Sequence, residues 1–192
     1  MGIGYYNSLV TLQAAGPNLT ASLTATSLLN PQGKVTLPAG FFSYIGQKLK
    51  INAQGQLGNI ITTPGTLTID VRFGSVVVFN GGAMQLSSTA HTTLPFWLEI
   101  EMTLRALGTG AEPTAQFMSQ GKMISQALSL TAAADSATTP ATLLLPNTTP
   151  ALGTVFDSTI AQTIDLFGTF SLSNANAIQV QQYEVLSPNW GG

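Results

Sequence analysis

The chain has 192 residues, enough for one large domain that buries roughly 70% of its unfolded surface. It contains no cysteine and one histidine, only 7% of its residues are charged against about 25% in an ordinary soluble domain, and its formal net charge is −2. Disulfides and thiolate metal centres are excluded, a zinc or copper site would lack its usual nitrogen ligands, and a phosphate backbone would find no basic footprint.

In chain order, the start MGIGYYNSLV has neither the basic nor the apolar block of an export signal. No apolar run approaches the ~20 residues of a spanning helix, so a protein made and kept in the cytosol, with no membrane partner, is expected. Residues 1–18 read as an N-terminal arm. Its Tyr5, Tyr6, Leu9 and Val10 precede Gly16-Pro17 and have no strand face of their own, which suits docking on a neighbouring subunit.

From residue 19 onward, apolar and polar residues alternate, the period-2 signature of half-buried strands, and helix signals are nearly absent. A first strand falls at 19–25. The stretch 48–54 (KLKINAQ) turns Leu49, Ile51 and Ala53 to one face, and Gly55 and Gly58 mark a bend or bulge. Residues 66–73 (TLTIDVRF) and 76–79 form a tight hairpin or a bulged strand about Gly74-Ser75. Asn80-Gly81-Gly82 reads as a turn, as do Asn30-Pro31-Gln32-Gly33, Thr63-Pro64-Gly65 and Gly108-Thr109-Gly110.

The stretch 96–105 (FWLEIEMTLR) sends Phe96, Leu98, Ile100, Met102 and Leu104 inward, and Trp97, Glu99, Glu101, Thr103 and Arg105 outward. Further strands are read at 117–124, at 163–173 with Ile164, Leu166, Phe170 and Leu172 buried, and at 177–186. Residues 132–149 are the longest irregular stretch, a surface loop around Leu143-Leu144-Leu145. About eight to ten antiparallel strands in one domain, 19–187, fit a two-sheet jelly-roll-like sandwich, with 188–192 a C-terminal tail carrying Trp190.

Four features invite chemistry. Glu99 and Glu101 stand about 6.5–7 Å apart along one strand face, between the carboxylate separations of retaining and inverting glycosidases. Cross-strand pairing with Arg72, Lys48, Lys50 or Lys122 explains them with fewer requirements. His91 reads as a solvated loop residue, and no G-x-S-x-G elbow accompanies it. The glycines of 80–83 lack phosphate-loop spacing, and Asp70, Asp135, Asp157 and Asp165 are too dispersed for a calcium loop. The sequons at Asn18 and Asn147 are chance matches in a Thr-rich chain. No catalytic residue, cofactor or metal is therefore expected. The scarcity of charge favours an assembly component, its neutral surface covered by copies of itself or by other proteins.

Residues 62–86 (TTPGTLTIDVRFGSVVVFNGGAMQL), 93–108 (TLPFWLEIEMTLRALG) and 143–186 (LLLPNTTPALGTVFDSTIAQTIDLFGTFSLSNANAIQVQQYEVL) resemble a group of small virion structural proteins of tailed bacteriophages. The resemblance implies a non-enzymatic shell or appendage protein, a capsid decoration or head-fibre component. Its partners would be copies of itself, with a trimer favoured, and the major capsid or other virion proteins. It would reside in the virion after assembly in the host cytoplasm. The alternative is a tail-associated receptor- or carbohydrate-binding jelly-roll module, with Trp97 beside Glu99 and Glu101 as its platform. Tyr5, Tyr6, Leu9, Val10, Trp97 and Trp190 are the candidate interface residues on either reading.

Overall fold

A computed structural model describes residues 5–59, 63–107, 114–130 and 139–189. Among them, two antiparallel sheets of seven and five strands form a sandwich, with one 3-10 turn, Pro31–Gly33, and no α-helix. The two-sheet architecture is the one the alternation predicts. Twelve strands exceed the expected eight to ten: only β2 (Leu19–Thr20) falls in the strand read at 19–25, and β3 (Thr26–Ser27), β4 (Val35–Leu37), Tyr5–Thr11 and Ala141–Leu145 are additional.

The larger sheet runs β1 (Tyr5–Thr11), β12 (Ala177–Asn189), β5 (Lys48–Asn59), β8 (His91–Ala106), β9 (Gln116–Ser125), β10 (Ala141–Leu145), with β2 also pairing β12. The smaller runs β3, β11 (Gln162–Phe170), β6 (Thr66–Phe73), β7 (Val76–Gln85), with β4 also on β11. The chain thus crosses between layers after β2, β4, β5, β7, β10 and β11.

Several local expectations are corrected. Residues 1–18 are not an irregular arm throughout: Tyr5–Thr11 pairs with β12 as an edge strand, because a bulge between Ser8 and Val10 lets its apolar side chains reach the core. The apolar run at 143–145 belongs to β10, paired to β9 through Leu143↔Met123, so residues 141–145 of the supposed 132–149 loop are sheet, while 132–138 lie outside the described residues. Asn80-Gly81-Gly82 does not turn the chain. It forms a bulge inside β7, where the partner register slips between Thr68 and Asp70. The reversal instead falls at Gly74-Ser75, a two-residue hairpin loop with Gly74 at φ 58°, a value that costs glycine little. Leu172 lies beyond the end of β11 and is exposed, because the strand stops at Phe170.

The facing surfaces of β5, β8 and β9 and of β6 and β11 meet in one continuous core. At one end Phe42, Phe73, Phe117 and Phe156 stack in mutual contact, every pair of rings 5.0 to 5.8 Å between centroids. Phe117 comes from the larger sheet, Phe73 from the smaller and the other two from connections, so the cluster ties both layers and two loops together. Phe117→Ala should lower unfolding free energy by about 3–5 kcal/mol in urea titration, whereas Thr103→Ala on the outer face should change it by less than about 0.5 kcal/mol.

Candidate functional site

β8 lies in the middle of the larger sheet, so its outward residues are framed by strands on both sides. Phe96, Leu98, Ile100, Met102 and Leu104 are all buried, 4% exposed or less, which forces Trp97, Glu99 and Glu101 to the open face as the alternation predicts. The ladder then assembles two rows across the strands. One is Gln182, Gln54, Trp97, Ile124 and Thr142; the next is Glu184, Asn52, Glu99, Lys122 and Leu144. Both run from β12 to β10.

Trp97 is 48% exposed and stands in a groove of about 450 Å³. Pro95, Ile124 and Pro140 supply further apolar lining, and Gln54, Ser125, Gln126, Gln181 and Gln182 supply the polar lining; no charged residue contributes. Pro95 is tolerated in a central strand because the β9 ladder begins only at Phe96, so its missing N–H deprives β9 of nothing. Gln181 and Gln182 both reach the outer side because β12 bulges between Val180 and Gln182. Gly55 sits opposite that bulge, where a Cβ would lie 2.0 Å from the Gln179 carbonyl oxygen; only glycine permits the approach.

Gln126, in the groove, is engaged within the protein, and so are five glutamines elsewhere. Gln47, Gln85, Gln116, Gln162 and Gln179 each donate to a backbone carbonyl. Gln54 is half-buried yet has no partner for its amide within the described residues, and neither do the exposed Gln181 and Gln182. Like those of Gln13, Gln32, Gln56 and Gln120, these amides are left to solvent, but here they stand beside an indole.

The charged row is self-satisfied. Glu99 accepts from Lys50 Nζ at 2.7 Å and meets Lys122 Nζ at 3.5 Å, so two of the four expected partners are present. Arg72 pairs instead with Asp70 in the other sheet, and Lys48 stands opposite Thr103. The hydrogen bond from Lys50, with the attraction of both lysines, holds the Glu99 carboxyl below its ordinary value of 4.5, and the same contact raises Lys50. A general acid needs the opposite shift. Glu101 is exposed and forms no salt bridge among the described residues.

The remaining candidates separate. Tyr6 is 64% exposed on β1, while Leu9 and Val10 are half-buried against the chain's own core. The side chain of Tyr5, and Trp190 altogether, lie outside the described residues. His91 is not a loop residue: it opens β8 opposite Asn59, half-buried, with Nε2 unpartnered. Asp70 and Asp165 lie on neighbouring strands of the smaller sheet, each in its own ion pair, with Arg72 (3.2 Å) and Lys34 (2.7 Å) respectively. Asp135 lies outside the described residues, and no group of three metal-ligating side chains occurs among them.

No family model and no curated protein matches the chain. Among solved structures it is similar to the CBM2 module of the evolved Dit of Lactobacillus casei BL23 phage J-1, at 9% identity and TM-score 0.37, covering 98% of this chain and 99% of that one. It is also similar to arcelin-5, a lectin-like defense protein from Phaseolus vulgaris, at 6% identity and TM-score 0.36, covering 98% and 99%. Both overlays are loose. No helix among the described residues is long and apolar enough to cross a membrane.

Because Glu99 has a lowered folded-state value, its ion pair contributes stability above the unfolded carboxyl value and loses it as pH falls through the folded one. Lys50, shifted upward, contributes below its unfolded value of 10.5 and loses it as pH rises through the folded one. Glu99→Gln should therefore cost about 0.5–1 kcal/mol at neutral pH, and the difference from wild type should vanish on the acid side of pH 4.5 when thermal unfolding is followed across pH.

Proposed function

We propose that the chain is a non-enzymatic binding component of a tailed-phage particle, and that the groove around Trp97 attaches it to saccharide. The particle setting comes from the resemblance of 62–86, 93–108 and 143–186 to virion structural proteins. The saccharide reading rests on one observation: a half-exposed indole in a groove with wholly uncharged polar lining, in which the amides of Gln54, Gln181 and Gln182 have no partner among the described residues. The apolar C–H face of a pyranose stacks on an aromatic ring whose face is electron-rich, while its hydroxyls take the surrounding donors and acceptors.

Glu99 and Glu101 have no part in this chemistry. Their row stands one strand repeat away, and Glu99 is held between two ammonium groups. The Trp97→Ala variant should lose binding to immobilised polysaccharide of the host surface by at least tenfold, while Glu99→Gln with Glu101→Gln binds as wild type, in a pull-down with purified protein. Equal binding by all three proteins would defeat the saccharide reading.

A second reading, head decoration by self-association, is favoured by Tyr6, exposed on the edge strand β1. It predicts a concentration-dependent oligomer in sedimentation velocity, weakened by Tyr6→Ser, and retention of the protein on emptied heads. Antibody labelling of intact virions separates the two, with label at the tail tip for saccharide attachment and over the head for decoration.

A further inference from the structure

We infer that the ligand of the Trp97 groove is a neutral, unbranched glycan chain lying across the strands, from β12 toward β10, and not along β8. This deepens the saccharide reading and rests on it.

Three observations carry it. The first is charge. The cations nearest the groove, Lys50 and Lys122, both contact Glu99, and Glu101 and Glu184 stand in the same two rows, so an acidic sugar resting on Trp97 would lose hydration and meet no net positive charge. The groove lining itself carries no charge of either sign.

Direction is the second. Along β8 the outward neighbours of Trp97, each about 6.7 Å away, are Glu99, which brings a ligand into the ion-paired row at its first step, and Pro95, whose ring offers no hydrogen-bonding group. Across the strands the row stays neutral throughout: Gln182, Gln54, Trp97, Ile124, Thr142. Five strands at about 4.8 Å spacing give a track of about 19 Å, longer than one or two sugar rings.

The third is the placement of unpartnered amides. Gln54, Gln181 and Gln182 lie on the β12 and β5 side of Trp97, so hydrogen-bonding capacity is offered beside the indole, on the line of the track and away from the charged row. The bulge on β12 that Gly55 permits doubles that capacity at one end. A chain interior satisfies such a site at several successive rings.

The test is an array of neutral oligosaccharides (glucans, galactans, mannans and rhamnans, from two to six rings) printed beside their uronate and sulfated counterparts and probed with the full chain. Hits are titrated in solution by the change in tryptophan fluorescence, with Trp97→Ala as the control. The expected result is a neutral series whose affinity rises at least tenfold from the disaccharide to the hexasaccharide and changes less than twofold between about 0.01 and 1 M salt. Gln182→Glu, at the exposed end of the row, should weaken the hexasaccharide severalfold and leave the disaccharide unaffected. Preference for acidic chains, or a disaccharide as tight as the hexasaccharide, overturns the inference and leaves the saccharide reading standing. Absence of binding to either class, with Trp97 fluorescence unmoved, overturns both.

Discussion

Burial of one face of β8 is the constraint on which the rest of the surface depends. Five large side chains of that strand are sealed between the sheets, each contributing about 1.5–3 kcal/mol relative to exposure. A shift of one residue would reverse every one of them, so the register is held by most of the stability of the domain. Trp97, Glu99 and Glu101 face outward as a consequence. The positions of Gln54, Lys50 and Lys122 follow in turn, because β5 and β9 are locked to β8 by its backbone hydrogen bonds.

That open face is divided. One row is neutral and built around an aromatic ring; the next concentrates charge and cancels most of it internally. In a chain with so few charged residues the division has a physical use. Charges beside a neutral ligand would compete for its hydroxyls and keep the groove hydrated, whereas Lys50 and Lys122 set against Glu99 and Glu101 sum to no net charge. The smaller sheet handles its charges in the same manner, with Lys34 on Asp165, and Arg72 on Asp70 with its guanidinium 4.3 Å above the Phe167 ring. The two clusters differ in their carboxylates: Glu99 is held below its ordinary value, whereas burial raises Asp70 in spite of Arg72 and leaves its Oδ1 without a partner among the described residues.

The groove also depends on an irregularity. Without the β12 bulge, Gln181 and Gln182 would point to opposite faces, and one amide would be driven into the core beside Val180 and Tyr183. Gly55 makes the bulge possible from the neighbouring strand. A backbone contact there thus sets hydrogen-bonding capacity around an indole two strands distant from β12.

Much of this was legible in the amino-acid order, and the limits are physical. Period-2 alternation determined the sheets, the inward set of β8 and the outward direction of Trp97 and Glu99, since side-chain direction in a strand is a local property. Composition alone ruled out disulfides and thiolate ligands. Alternation carries no information on which strands are neighbours, so the choice of Lys50 and Lys122 over Arg72 and Lys48 was decided only when β5 and β9 flanked β8. The same limit hid the edge strand at Tyr5–Thr11 and the bulges in β7 and β12, because an extra residue is recognised by its partner's register and not by its own sequence. The indole was visible in the sequence; the groove around it, assembled from separate segments spread between Gln54 and Gln182, belongs to the tertiary structure.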